Sequence, residues 1–281
     1  MSRWANEIAA LDAEADCGRI VFLLGACEFA WDIERALEFA LFRTYAVPSI
    51  SGLLAKTGAF EGNTRKRYDD TELILSEITE NGLDSERGQQ ALARMNAMHG
   101  AYRIKNDDML YVLSTFVFEP ERWLARFGKR AMTEHEKRAV WAHYRALGTA
   151  MGITDIPDDR AAFEAWGRAY EAQHFRFADS NARIGRVTRD LLLSFYLPRP
   201  LIPLGRPAAH AFMDPALLEA MGFTPAPRWL QSLLMGAMRL RALALRLLPA
   251  RARPHLHTRV KRPSYPGGYK IADLGTFPNR T

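Results

Sequence analysis

Residues 91–123 read ALARMNAMHGAYRIKNDDMLYVLSTFVFEPERW. Leu92, Met95, His99 and Tyr102 stand at i, i+3, i+7 and i+10, the spacing of one stripe on an α-helix, which puts His99 on an apolar, inward-facing side. Asn106 ahead of Asp107 and Asp108 offers the start of a second helix, a cap followed by acids against the positive end of the helix dipole. Spacings of three and four recur along the rest of the chain, and long alternating patterns are absent, so the expected fold class is all-α.

Working outward, Asp69 with Glu72 and Thr133 with Glu136 have the separation of a capping box. Helices are expected near 3–16, 28–45, 48–57, 69–81, 84–102, 106–126, 133–151, 159–175, 178–196, 214–221 and 228–248. Breaks rich in Pro and Gly fall at 197–207 (LPRPLIPLGRP), at 224–227 and from 249 onward. The expectation is a single large helical domain of roughly ten helices around a buried pocket, with residues 1–227 as its body. Residues 228–281 form a basic amphipathic helix and tail, packed on that body or on a membrane surface.

With 281 residues, 48% hydrophobic and 25% charged, the chain can bury a sizeable core, which excludes disordered and collagen-like classes. Net charge is +6, and its distribution is uneven. Residues 228–281 hold eleven Lys or Arg against Asp273 alone, which suits an anionic surface. Within 228–248 Arg228, Arg239 and Arg246 share a helix face and Arg241 departs from it, as in a helix lying in a membrane interface with snorkelling arginines; the alternative is a terminal helix packed on the body.

Cys17 and Cys27 build neither a zinc ribbon nor a disulfide framework, in keeping with a reducing compartment. Acids at Glu7, Asp12, Glu14 and Asp16 argue against a signal peptide, and the apolar run at 109–118 is far too short to span a bilayer. The expected location is cytoplasmic, with peripheral attachment to the inner membrane face through 228–262.

GxSxG, P-loop, GxGxxG and HExxH motifs are all absent, which removes hydrolase, NTPase, dinucleotide-binding and zincin readings. The basic tail lacks the aromatic interleaving or reading helix of a specific nucleic-acid binder. His99 on its apolar stripe is either a satisfied core histidine or a ligand. Arg65, Lys66 and Arg67 precede Asp69, Asp70 and Thr71, which by itself reads as a solvated loop followed by a cap. Glu171 and His174 form one ExxH; a carboxylate-bridged di-iron centre needs two such pairs. His135 and His143 sit among charges and read as surface residues, and His210, His255 and His257 fall in loop-like or tail sequence.

Three stretches together, GNTRKRYDDTELILSEI from Gly62, ARMNAMHGAYRIKNDDMLYVLSTFVFEPERW, and a basic segment ending YPGGYKIADLG, resemble the bacterial members of the MpaB and rubber-oxygenase family. The likeness extends through EFAWDIERALEFALFRTYAVPSISGLLAKTGAF from Glu28 and YEAQHFRFADSNARIG, covering most of the chain. The resemblance implies an all-helical fold and, from the latex clearing proteins, haem b whose iron is held by a histidine at the position of His99. Those proteins carry an Arg-x-x-Lys-Thr motif beside the haem; here Arg67, Asp70 and Thr71 match it with aspartate in place of lysine. The implied activity is oxidation or oxidative cleavage of a hydrophobic, isoprenoid-like substrate by dioxygen.

On this reading His99 binds iron and Arg65 and Lys66 contact the haem propionates. Arg67 anchors the cofactor or orients Asp70, while Asp70 and Thr71 position oxygen or move an allylic proton. Two alternatives remain open: a non-catalytic helical protein that carries a lipid or haem in the same pocket, and a non-haem iron oxygenase using His99 with His174 and Glu171.

Overall fold

A computed structural model describes residues 2–58 and 62–275; the ends of the expected tail beyond 275 lie outside the described residues. Within these, thirteen α-helices follow one another: α1 (Arg3–Ala10), α2 (Cys17–Leu23), α3 (Ala30–Thr44), α4 (Pro48–Lys56), α5 (Thr64–Asn81), α6 (Glu86–Gly100), α7 (Asn106–Phe127), α8 (Glu134–Ala150), α9 (Arg160–His174), α10 (Asp179–Leu193), α11 (Ile202–His210), α12 (Pro215–Met221) and α13 (Arg228–Leu247). The described residues contain no β-strand. The all-α class is as expected.

Helix α7 is the axis of the fold. Its 22 residues reach about 33 Å at 1.5 Å per residue, and Leu110, Tyr111, Phe116, Trp123 and Leu124 are buried along it. It lies along α3, the most extensive helix pair in the structure. Where the two meet, Trp31, Phe39, Trp123, Phe127 and Phe212 form a chain of ring contacts. Buried Asp32 sits among them, accepting from Trp123 Nε1 at 3.2 Å and from Arg241 Nη1 at 2.9 Å. Arg241 is the arginine that leaves the basic face of α13, and the ion pair to Asp32 explains why: it ties α13 to the body, with its guanidinium over the Trp31 ring. A buried carboxylate requires such partners.

Several local expectations need correction. The first expected helix is shorter, because Asp12 turns the chain by accepting the amides of Glu14 and Ala15; α2 and a single π-turn at Leu24–Glu28 follow. Helix α5 begins five residues before Asp69: Asn63 is its cap, accepting the Lys66 amide at 3.3 Å, so Asp69 and Glu72 form no capping box. Asn106 is helical rather than a cap, and its side chain instead pairs with the backbone of Thr154. The Pro-rich stretch 197–207 is largely helical, forming a 3₁₀ turn (Arg199–Leu201) and most of α11. Proline is tolerated in a first turn, where the lost amide had no helical partner. The Thr133–Glu136 capping box is present.

Candidate functional site

His99 lies in the last turn of α6, where the negative end of the helix dipole would favour its charged form. Burial outweighs this and pushes its pKa down to about 4, with the positive charge of Arg67 acting in the same direction. The ring is therefore neutral at physiological pH. Its Nδ1 is buried and has no hydrogen-bond partner among the described residues. A buried polar atom without a partner costs about 1–3 kcal/mol, so this Nδ1 is an exception to the rule that buried polar groups are paired. His99 lines a cavity of about 300 Å³ enclosed by α4, α5, α6, α7 and α8, at the lower end of the ~300–1,000 Å³ typical of ligand and cofactor sites. Leu53, Ile74, Met95, Val112 and Phe116 give it apolar walls, and Arg67, Arg103 and Lys105 contribute cations.

Because α5 starts at Thr64, the whole Arg65–Thr71 stretch is helical, and the 100° step per residue sorts it onto different faces. Arg67 and Thr71, at i and i+4, line the cavity, and Thr71 Oγ1 donates to the Arg67 carbonyl at 3.0 Å. Asp70 does not line it. Its carboxylate is fully buried, accepts from Lys66 Nζ at 2.8 Å and from the Tyr265 hydroxyl. Asp69, equally buried, accepts from Arg65 Nε at 3.0 Å and from Ser264 Oγ at 2.7 Å. The structure thus brings Arg67, Thr71 and His99 together and places Arg65, Lys66 and Asp70 in an ion-pair cluster under the C-terminal tail. Arg65 and Lys66, expected at the haem propionates, and Asp70, expected on the oxygen side, are not among the residues that line this cavity.

The tail motif at 265–275 is a strap. Besides Tyr265, Tyr269 donates to Glu77 at 2.7 Å, and Arg94 Nε of α6 donates to the Leu274 carbonyl at 2.7 Å. Gly275 has φ +83°, and a Cβ there would stand 1.8 Å from Met98 Sδ; only glycine meets both demands. The strap therefore presses α5 and α6 together beside His99.

Glu171 and His174 do not reach the cavity. Glu171 is gripped by Arg43 Nε at 2.8 Å and Nη2 at 2.7 Å and by the Tyr111 hydroxyl at 3.0 Å, and the His174 ring lies 4.2 Å from that of Tyr170. The ExxH joins helices α3, α7 and α9 instead of presenting two ligands to a metal shared with His99. His143 is buried, not on the surface, with its pKa pushed by burial to about 4; His210 is buried on α11, its Nδ1 2.8 Å from the Thr224 carbonyl.

Sequence reasoning missed one cluster. Glu34 of α3, Glu72 of α5 and His257 of the tail bring side-chain atoms within 4.8 Å of one another. His257 Nδ1 lies 2.6 Å from Glu72 Oε1, and Arg262 Nη1 lies 2.7 Å from Oε2. Burial opposes the charge on both partners, yet the pairing prevails: it raises the His257 pKa and lowers that of Glu72. Positions 34, 72 and 257 share no sequence spacing, so no local signal pointed to them.

An all-helical body with an apolar cavity edged by cations and by one half-buried, neutral imidazole is the kind of site that takes small, largely apolar molecules. The family model described as the catalytic domain of ER-bound oxygenase mpaB/B'/rubber oxygenase matches residues 40–246, and the chain belongs to that family. It is 32% identical over 221 residues to the ER-bound oxygenase mpaB' of Penicillium brevicompactum, covering 72% of this chain and 52% of that protein. It is 32% identical over 212 residues to the ER-bound oxygenase mpaB of Penicillium roqueforti, covering 69% and 71%. The mpaB of Penicillium brevicompactum is 33% identical over 165 residues, 52% of this chain and 42% of that protein. The chain spans about half the length of the first and less of the third.

Proposed function

We propose that this protein is a haem-dependent oxygenase that uses dioxygen to oxidise or cleave a hydrophobic, isoprenoid-like substrate. The carrying observation is the neutral His99 imidazole, its Nδ1 without a partner, on the wall of an apolar cavity. These residues fit haem b. His99 would hold the iron, and Arg67, Arg103 and Lys105, which line the cavity, would pair with the propionates. Bound there, the iron would supply dioxygen activation. The chain's own residues contribute the surroundings. Apolar walls exclude water and accept a hydrocarbon, Arg67 helps hold the imidazole neutral, and Thr71 lines the cavity on the same helix face as Arg67, its hydroxyl bonded to the Arg67 carbonyl.

The test is the absorption spectrum of the purified protein, produced with haem precursor, beside His99→Ala, followed by oxygen uptake with prenylated substrates. A Soret band lost in the variant, with uptake in the parent, is expected. Full haem content in His99→Ala, or a colourless protein with stoichiometric iron, would overturn the reading.

The same substrate class suits α13. No described helix is long and apolar enough to cross a membrane. Trp229, Leu233, Leu240, Leu243 and Leu247 recur at helical spacing along one face of α13 and are 53–88% exposed. Arg228, Arg239 and Arg246 flank that stripe while Arg241 faces the body. An exposed apolar stripe edged by cations suits an anionic bilayer surface, from which an isoprenoid would partition into the protein. The names of the relatives, which are called ER-bound, are in keeping with this.

A further inference from the structure

Beside the His99 cavity lies a second chamber of about 150 Å³. The two share Leu41, Tyr45, Arg67, Thr71, Leu75 and Tyr144 as common walls, so one elongated molecule can reach both by moving a few side chains at that partition. Part of the second chamber's lining is apolar, from Val21, Phe22, Ile33 and Leu37. Gly25 and Ala26 of the π-turn also line it, leaving room where ordinary side chains would fill it; such turns are frequent at functional sites. Its remaining wall differs in kind. Glu34, Glu38, Glu72 and Glu80 line it together with His255 and His257.

The partners of these acids decide what the wall can bind. Glu38 is held by Arg35 Nε at 2.6 Å and by the Tyr68 hydroxyl at 2.7 Å. Glu80 accepts from Thr258. Glu72 is paired with His257 and Arg262. Glu34 accepts from Arg35 through Oε1 at 2.5 Å, and among the described residues its Oε2 receives no hydrogen bond. Each ionised carboxylate offers about four acceptor sites, so the cluster retains acceptor capacity. Arg35 and Arg262, which pair with these acids, are not among the residues lining the chamber; among the described residues Arg67 is the arginine that lines it. A group entering here meets hydrogen-bond acceptors, Glu34 Oε2 the open one. A donor is satisfied there, whereas a carboxylate or phosphate would set oxygen against the Glu34 oxygen.

We propose that the substrate is an isoprenoid-like chain ending in a hydrogen-bond donor, an alcohol or amine, and that this second chamber receives the donor on Glu34 and Glu72, with His257 holding the Glu72 carboxylate in place. The proposal rests on the reading of the His99 cavity as the oxygenase site and deepens it. It assigns head-group selectivity to residues outside that cavity. A hydrogen bond to a charged acceptor contributes about 1.5–3 kcal/mol, a preference on the order of tenfold or more.

The test uses the purified holoprotein without oxygen, so that no turnover occurs, with binding followed by calorimetry. Farnesol, farnesylamine and farnesoic acid share one chain and differ in the terminal group. The alcohol and amine are expected to bind at least about tenfold more tightly than the acid. Glu34→Gln, a half-buried site bonded to Arg35 alone, is expected to shrink that ratio severalfold without changing the Soret band; Glu72→Gln provides a second reading. Equal affinity for the acid, or a ratio unchanged in both variants, would overturn the proposal. Micromolar binding of Zn²⁺ or Mn²⁺ abolished by Glu34→Gln would also overturn it, by assigning the cluster to a cation. Failure of the oxygenase reading would show separately, as a Soret band that survives His99→Ala.

Discussion

Replacing His143 by phenylalanine should make the protein less sensitive to acid. Burial places the folded pKa of His143 at about 4, against 6.5 for the exposed group. The unfolded chain therefore binds more protons between these values, and the stability contributed by the neutral ring is lost as pH falls through that window. At pH 5 an exposed histidine is about 30:1 protonated and the buried one about 1:10, so His143 alone costs about 2 kcal/mol between pH 7 and pH 5. His99 shifts in the same sense. Glu38, which burial pushes up to about 7, acts in the opposite sense, gaining stability as pH falls. Comparing parent and variant at both pH values cancels these other groups. Phenylalanine keeps a ring against Tyr144, whose centroid lies 5.2 Å from that of His143. Urea unfolding followed by circular dichroism should show a loss from pH 7 to pH 5 that is smaller in His143→Phe by about 2 kcal/mol. Identical pH dependence in the two proteins would refute the buried neutral histidine.

Asp70→Ala should cost about 2–3 kcal/mol in urea unfolding by stranding Lys66 and Tyr265, while the folded variant keeps its Soret band, because Asp70 lies outside the cavity. Thr71→Val should leave haem content unchanged and lower oxygen uptake, measured with an electrode, because Thr71 lines the cavity and its hydroxyl is bonded to the Arg67 carbonyl beside it. Gly275→Val should lower the melting temperature by several degrees, since its side chain meets Met98 and its backbone needs positive φ. Trp229→Glu with Leu233→Glu should reduce sedimentation with phosphatidylglycerol vesicles at least about tenfold while leaving the spectrum intact.

Helices were legible wherever one face carries the burial. The stripe from Leu92 to His99 and the Thr133 cap became α6 and the start of α8, while Tyr102 at the end of the expected stripe lies past the helix, because local spacing and tertiary packing demand the same conformation up to Gly100. Errors arose where polar side chains offered a local alternative that distant contacts overrode. Asp69 has the chemistry of a cap, but helix α5 extends past it because Ser264 and Arg65 satisfy its carboxylate inside the fold. Asn106 likewise resembles a cap and is drawn to Thr154. Each outcome is fixed by a partner 48 to 195 residues away, beyond any sequence window.

The site divides along the same line. His99 was visible as a candidate because an imidazole on an apolar stripe has few roles, and periodicity suffices to turn it inward, where its Nδ1 is buried. Which of its neighbours share the cavity depends on helix phase, and a helix start misplaced by five residues obscures the face of every residue after it. Arg67 and Thr71 keep together as i and i+4 in any register, so their association survived; Asp70, 300° further round from Arg67, did not. The Glu34, Glu72 and His257 cluster lay beyond such reasoning, since it exists only because the strap returns from the C-terminus, tied by His255 N to the Ala26 carbonyl at 2.7 Å. The strap that fastens α5 to α6 beside His99 thus follows directly on the segment that supplies an imidazole to the neighbouring chamber. Any loosening of the tail should therefore alter both the rigidity of the His99 cavity and the polarity of the chamber beside it.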